Sequence, residues 1–363
     1  MSGAKTRAGR SIAALPALAC LLAAGAALAA APAVAKGGAG QSLAGRLDPS
    51  FAQGGKTLLG FPPENAGEVG IKYTLPFQFT AGHLAMAPAP GGGTVVAGST
   101  RIVRVLANGK LDRGFGSGGI VTVERPAGMT FVLAGVAVDS QGRVLLAGTA
   151  RPQPASSTPD PLLSSAAVMR FNADGSLDRS FGKEGMLITD FGAKPPLVPS
   201  GRYIGASVGL KSLAVDGQDR PVLSGAIVTK VGSCRGGAIS SGFVARLTTG
   251  GVPDPAFGSG GLREISDFSS LGEVGLLPSG GILTVDAGKP KCENEGGGPA
   301  VVLTQFGPEG NLSPGFGLAG FSSLGLKSAP VAAVTPSGKI LLLAPKSGRS
   351  QLVMRLTPAG GLD

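Results

Sequence analysis

The sequence predicts an all-β fold, a ring of five four-stranded antiparallel sheets arranged as a β-propeller, and three observations carry that prediction. One phrase recurs five times: Leu47-Asp48-Pro49-Ser50-Phe51, Leu111-Asp112-Arg113-Gly114-Phe115, Leu177-Asp178-Arg179-Ser180-Phe181, Pro253-Asp254-Pro255-Ala256-Phe257 and Leu312-Ser313-Pro314-Gly315-Phe316. Its phenylalanines lie 64, 66, 76 and 59 residues apart, which suits one propeller blade with added loops. Gly (62) and Pro (28) fill about a quarter of the 363 residues and leave little room for long helices, while 43% of the chain is apolar and suffices for a core.

Residues 1–35 read as a secretory signal, and residues 36–363 as a single propeller domain. Lys5, Arg7 and Arg10 precede an apolar run from Ser11 to Pro32, and Ala33-Val34-Ala35 is a small-residue cleavage pattern before Lys36. A retained anchor is the alternative, because the run is nearly continuous Ala and Leu. Cys20 raises a lipoprotein reading, which Ala17-Leu18-Ala19 and the apolar residues beyond it disfavour. The expected location is the exterior, the periplasm or the cell envelope, with no later membrane-spanning stretch. The formal charge of +10 falls to +7 without the signal. With 5% aromatic residues and no run of five like charges, the interleaved basic and aromatic surface of a nucleic-acid binder is missing, so no nucleic-acid partner is expected.

Each unit has the same internal order. In the best copy, Gly135 to Asp139 predicts a strand, Ser140-Gln141-Gly142 a tight turn and Arg143 to Thr149 a second strand rich in Val and Leu. Ala166 to Phe171 is the third strand, Asn172 to Gly175 a turn into the phrase, and Met186 to Phe191 the fourth. The other hairpins turn at Pro90 to Gly93, Gly217 to Asp219, Pro278 to Gly280 and Pro336 to Gly338. The last unit supplies strands near Pro330 to Thr335, Lys339 to Ala344 and Gln351 to Leu356, and then Gly361-Leu362-Asp363 opens the phrase again. The N-terminal phrase leads into a strand from Lys56 to Phe61. That strand is expected to complete the C-terminal blade and close the ring without a free sheet edge.

The Leu-Asp-x-Ser-Phe-Gly-x-x-Gly phrase, preceded by Arg-Phe-Asn-x-Asp-Gly and by an Asp-x-x-Gly-Arg-x-Leu-x-Ala-Gly hairpin, resembles the bacterial delta-60 repeat family. The resemblance is most specific at residues 134–191 and 101–123 and fades at Leu312-Ser313-Pro314, where the Asp is replaced. It implies an exported, propeller-like repeat protein. It carries over no catalytic residue, since the family motif is structural.

The repeated Asp48, Asp112, Asp178 and Asp254 are expected to cap their own turns, and Phe51, Phe115, Phe181, Phe257 and Phe316 to fill the space between blades. Gly114 to Gly119 and Gly315 to Gly320 satisfy the glycine spacing of a dinucleotide loop, but a strand follows where that site needs a helix. Gly205-Ala206-Ser207-Val208-Gly209 matches a hydrolase nucleophile elbow. Its only potential histidine partner, His83, stands on the wrong side in chain order, and the surrounding unit is β. At the heads of the innermost strands (83–86, 132–135, 209–212, 270–273 and 328–331) Glu273 is the single carboxylate, too few for a channel metal. No catalytic residue, cofactor or metal ligand is therefore assigned.

Cys234 and Cys292 fall in the connection between second and third strands of consecutive units, 23 and 24 residues before their phenylalanines, so a disulfide between adjacent blades is expected, with two free or separately paired thiols as the alternative. Long connections (62–82, 150–165, 192–208, 231–240, 287–299) all join second to third or fourth to first strands, and these emerge on one face of a propeller. The leading functional reading is a secreted, non-enzymatic, monomeric binding or scaffold protein that recognises a macromolecule or envelope glycan there. The alternatives are a hydrolase or lyase acting on an envelope polymer, with Glu273, Glu293, Glu295 or Tyr203 in a pocket, and a purely structural envelope component.

Overall fold

The computed structural model describes residues 47–59, 84–152, 164–193, 207–234, 237–265, 271–288, 300–326, 330–345 and 350–363. It is a five-bladed β-propeller whose strands pair in sequence order within each blade. Blade one comprises β1 (Ala85–Ala89), β2 (Gly93–Ala97), β3 (Arg101–Val105) and β4 (Ile120–Thr122). Blade two comprises β5 (Met129–Val138), β6 (Val144–Pro152), β7 (Ser165–Phe171) and β8 (Met186–Thr189), and blade three β9 (Val208–Val215), β10 (Pro221–Cys234), β11 (Gly237–Arg246) and β12 (Leu262–Ile265). Blade four holds β13 (Glu273–Leu276), β14 (Ile282–Gly288), β15 (Ala300–Phe306) and β16 (Phe321–Ser323). Among the described residues blade five has three strands, β17 (Val331–Val334), β18 (Ile340–Pro345) and β19 (Gln351–Leu356). The innermost strands stand side by side, β1 with β5, β5 with β9, β9 with β13 and β13 with β17.

The sequence dictates this arrangement through strands that are apolar on both faces. In β6, Val144 and Leu146 enter the core shared with blade one, while Leu145 and Ala147 enter the core shared with blade three. A strand with alternating side chains becomes apolar throughout when sheets cover both of its faces. Each such Leu or Phe withdrawn from water contributes about 1.5–3 kcal/mol.

The first hairpin of blades two and three is built by an Asp. Asp139 accepts the N–H groups of Gln141 and Arg143 on Oδ1, and Arg143 Nε donates to its Oδ2 at 2.6 Å. Asp216 treats Gln218 and Arg220 in the same way. The turn residue between these two donors has positive φ, 76° at Gly142 and 60° at Asp219, which is why glycine is the usual occupant.

Two expectations need correction. Residues 231–240, read as a loop, are largely hairpin: Val231 pairs with Ala238 and Cys234 with Gly237, after register shifts beyond Val228 and Val231. The β-branched Ile227, Val228, Thr229 and Val231 carry the strand onward. Lys56 makes an isolated parallel bridge to Ala52, and residues 57–59 form no strand. They have no hydrogen-bonded sheet beside them among the described residues, and an extended segment without a partner lacks the ladder that defines a strand.

Candidate functional site

The repeated phrase builds a clamp between blades. Asp178 accepts the N–H of Ser180 on Oδ1 at 3.1 Å and its hydroxyl at 2.6 Å; Asp112 takes the N–H of Gly114 and Asp254 that of Ala256, each at 3.0 Å. The other carboxylate oxygen receives an arginine from the third strand of the same blade: Arg104 to Asp112 at 2.8 Å, Arg170 to Asp178 at 2.7 Å and Arg246 to Asp254 at 2.7 Å. Each guanidinium also covers the phrase phenylalanine, 4.4, 4.6 and 4.8 Å above the rings of Phe115, Phe181 and Phe257. Its Nη1 donates to the next blade, at Ala173 O, Thr249 O and Pro308 O respectively.

Phe115, Phe181, Phe257 and Phe316 are fully buried. A Cβ on Gly251 would stand 2.7 Å from the Phe181 ring, on Gly310 3.0 Å from Phe257 and on Gly360 2.8 Å from Phe316, so a glycine turn of the next blade lies directly against each of these three rings. The Asp and Phe are thus bound up in the scaffold. The arginine partner escaped sequence reasoning, although an Arg eight residues before Asp112, Asp178 and Asp254 was the available signal.

Burial pushes the carboxyls of Asp178 and Asp254 up, but hydrogen bonds from Ser180 and from the Ala256 N–H, with the adjacent arginines, outweigh it and hold both below the usual carboxylate range.

The opposite face collects the long connections. In blades with strand order 1-2-3-4, the turns after the first and third strands lie at one end, and the connections after the second and fourth at the other. On that second face the described residues link neighbouring blades by hydroxyls. Leu133 N–H donates to Ser99 Oγ at 3.2 Å, Leu210 N–H to Thr149 Oγ1 at 3.0 Å, and Ser224 Oγ to Gly272 O. Ser164 and Ser207 are both buried, with their Oγ atoms 3.0 Å apart, and Val208 N–H donates to Ser164 O at 2.9 Å. Ser207, the centre of the nucleophile-elbow match, therefore serves as a joint between blades two and three.

Glu273 heads β13 at the surface. Protein crowding around its carboxyl pushes its pKa up, opposed by a hydrogen bond from Ala332 N–H. Among the described residues no three His, Cys, Asp or Glu side chains come together to hold a metal. His83, Tyr203, Cys292, Glu293 and Glu295 lie outside the described residues, as do most of the long connections (60–83, 153–163, 194–206, 289–299). Cys234 ends β10, placing its backbone on this face.

Residues 163–181, which take in β7 and the third phrase, match a family described as "Domain of unknown function (DUF5122) beta-propeller". No curated protein matches the chain. Among solved structures, a protein of unknown function from Bacteroides caccae is similar at 9% identity over 76% of this chain and 78% of that one, with a TM-score of 0.38. A gluconolactonase from Xanthomonas campestris aligns at 14% identity over 76% and 74% of the two chains with a TM-score of 0.38, and an α-L-arabinofuranosidase from Lactobacillus brevis at 10% identity over 77% and 92% with a TM-score of 0.36. Likenesses this remote say nothing of what the chain binds or transforms.

Proposed function

We propose that the protein is an exported, non-enzymatic propeller of delta-60 type that recognises a macromolecule or envelope glycan through the face bearing its long connections. The observation that carries this reading is the division of labour between the two ends of the blades. One end is closed by tight turns and the Arg–Asp–Phe clamps, while every long insertion is attached to the other, as in a rigid scaffold that displays a variable surface. Residues 1–35 act as the export signal, Cys234 and Cys292 pair across adjacent blades, and the mature chain is a monomer without nucleic-acid affinity. No helix among the described residues is long and apolar enough to cross a membrane.

The test is a glycan and envelope-polymer array probed with the mature protein, beside a copy in which residues 62–82 and 153–163 are replaced by tight turns. Saturable binding by the intact protein that the shortened copy loses is the expected result. Binding kept by the shortened copy overturns the assignment of the face. Conversion of a bound polymer to products would establish the hydrolase or lyase instead, and no binding by folded protein would favour a structural envelope component.

A further inference from the structure

The contact between blades three and four departs from the others at one rung. Two residues after the start of its second strand, a blade presents a cross-strand pair to the blade before it: Leu146 with Met169 in blade two, Leu223 with Ala245 in blade three and Leu342 with Met354 in blade five. These six side chains belong to the apolar cores between blades. Blade four has Thr284 opposite Thr304 instead, both fully buried. Their neighbours on the same side, Ile282 and Phe306, pack into the core shared with blade three, whereas Leu283 and Leu303 pack towards blade five, so both threonines face blade three. That wall is apolar at Val222 and Val244, and the Ser224 hydroxyl beside them is given to Gly272 O. Neither Thr284 Oγ1 nor Thr304 Oγ1 has a hydrogen-bond partner among the described residues. A hydroxyl withdrawn from water needs a replacement partner, and here two on one rung need it together.

The next rung on the same side holds a carboxylate. Asp286, 3% exposed, stands opposite Val302, where blades two and three have Gly148 and Gly225. A Cβ at those glycines would collide with Val132 O and Gly209 O, so the inner strand closes that place in blades two and three and leaves it open in blade four. Thr284 and Asp286 are two residues apart, about 6.6 Å along the strand, a spacing that two hydrogen bonds of about 2.8 Å span through one intervening oxygen. We propose that the interface between blades three and four binds an ordered water, held by the hydroxyls of Thr284 and Thr304 and donating to the Asp286 carboxylate. Water suits this set because it accepts both O–H groups and still has hydrogens for the carboxylate, which gives it the three bonds usual for a buried water. A calcium ion suits it less, since that ion takes six to eight oxygens and each ligating hydroxyl would still need an acceptor for its own hydrogen. No three His, Cys, Asp or Glu side chains gather here or elsewhere among the described residues.

The test is a crystal structure of the mature protein at a resolution that shows waters, beside the double variant Thr284→Val and Thr304→Val, in which valine keeps the shape of threonine and removes both hydroxyls. Density for one water within about 3.2 Å of both Oγ1 atoms and of the Asp286 carboxylate is expected, together with its loss from the variant. A direct hydrogen bond between Thr284 and Thr304 with nothing beside them overturns the proposal. A peak with six or more oxygens at about 2.3–2.6 Å also overturns it, because that is a cation. Oxygen-17 relaxation dispersion gives a separate reading in solution: the signal from long-lived internal water should fall by the equivalent of one molecule in the double variant, and an unchanged signal from a folded variant overturns the assignment.

Discussion

At the scale of single residues, the phrase asks much of few side chains. Phe181 lies fully buried between blades two and three, so Phe181→Ala should cost about 3–5 kcal/mol, read as a lower midpoint in denaturant. Gly251→Ala at the turn beneath that ring combines a φ of 82° with a 2.7 Å approach and should cost at least about 1–3 kcal/mol in the same assay. Asp178→Ala leaves Arg170, which is 3% exposed, buried without its carboxylate, and the expected loss is about 3–5 kcal/mol. Asp178 and Asp254 also set a pH dependence. Their carboxyls are held below the unfolded value of about 4, so their contribution is full above that pH and disappears as the pH falls through the lower folded value. Chemical denaturation between about pH 5 and pH 2 should show stability falling with acidification, with a weaker slope for Asp178→Asn. Glu273 has the opposite sign, because its raised pKa penalises the ionised form. Glu273→Gln should raise the thermal midpoint at pH 7 and leave it unchanged in acid, where the wild-type carboxyl is already neutral.

At the scale of elements, each of the first three blades is joined to the next twice: by the clamp at one end and by hydroxyl-to-backbone bonds at the other. Ser207→Ala removes the Ser164 to Ser207 contact, and a cost of about 1 kcal/mol is expected from thermal unfolding. Were Ser207 a nucleophile, the same variant would abolish a hydrolytic activity while leaving stability intact. The β10–β11 hairpin extends beyond the neighbouring strand β9, since Val208 already pairs with Ile227 while β10 runs to Cys234. The hairpin therefore projects from the ring on the face with the long connections. This extension was hard to read beforehand, because glycines near 232–237 look like a loop whereas the β-branched residues before them sustain pairing.

At the scale of the whole molecule, repetition spreads stability over similar interfaces between consecutive blades, and the seam decides whether the ring has an open edge. Functional specificity is expected on the opposite side of the scaffold from the clamps, in connections whose length varies from blade to blade. Shortening one of them should change ligand recognition while leaving the clamp-dependent acid transition in place, and parallel binding and denaturation measurements on the shortened copies check that separation.

The sequence by itself determined the number of blades, the order of their strands and the turns between first and second strands. Those features are local: alternation of apolar residues, Gly and Asp at turns, and a phrase repeated at blade-length intervals all act within a few residues of where they are written. It also marked the repeated Asp and Phe as parts of the scaffold. Only the tertiary structure decided that Arg104, Arg170 and Arg246 complete the clamps, that serine and threonine hydroxyls join neighbouring blades, and that Phe51 sits against blade one. Each of these contacts ties a side chain to a partner in the next blade, tens of residues away. The pattern of one strand carries no mark of which carbonyl a guanidinium will reach once two sheets have packed.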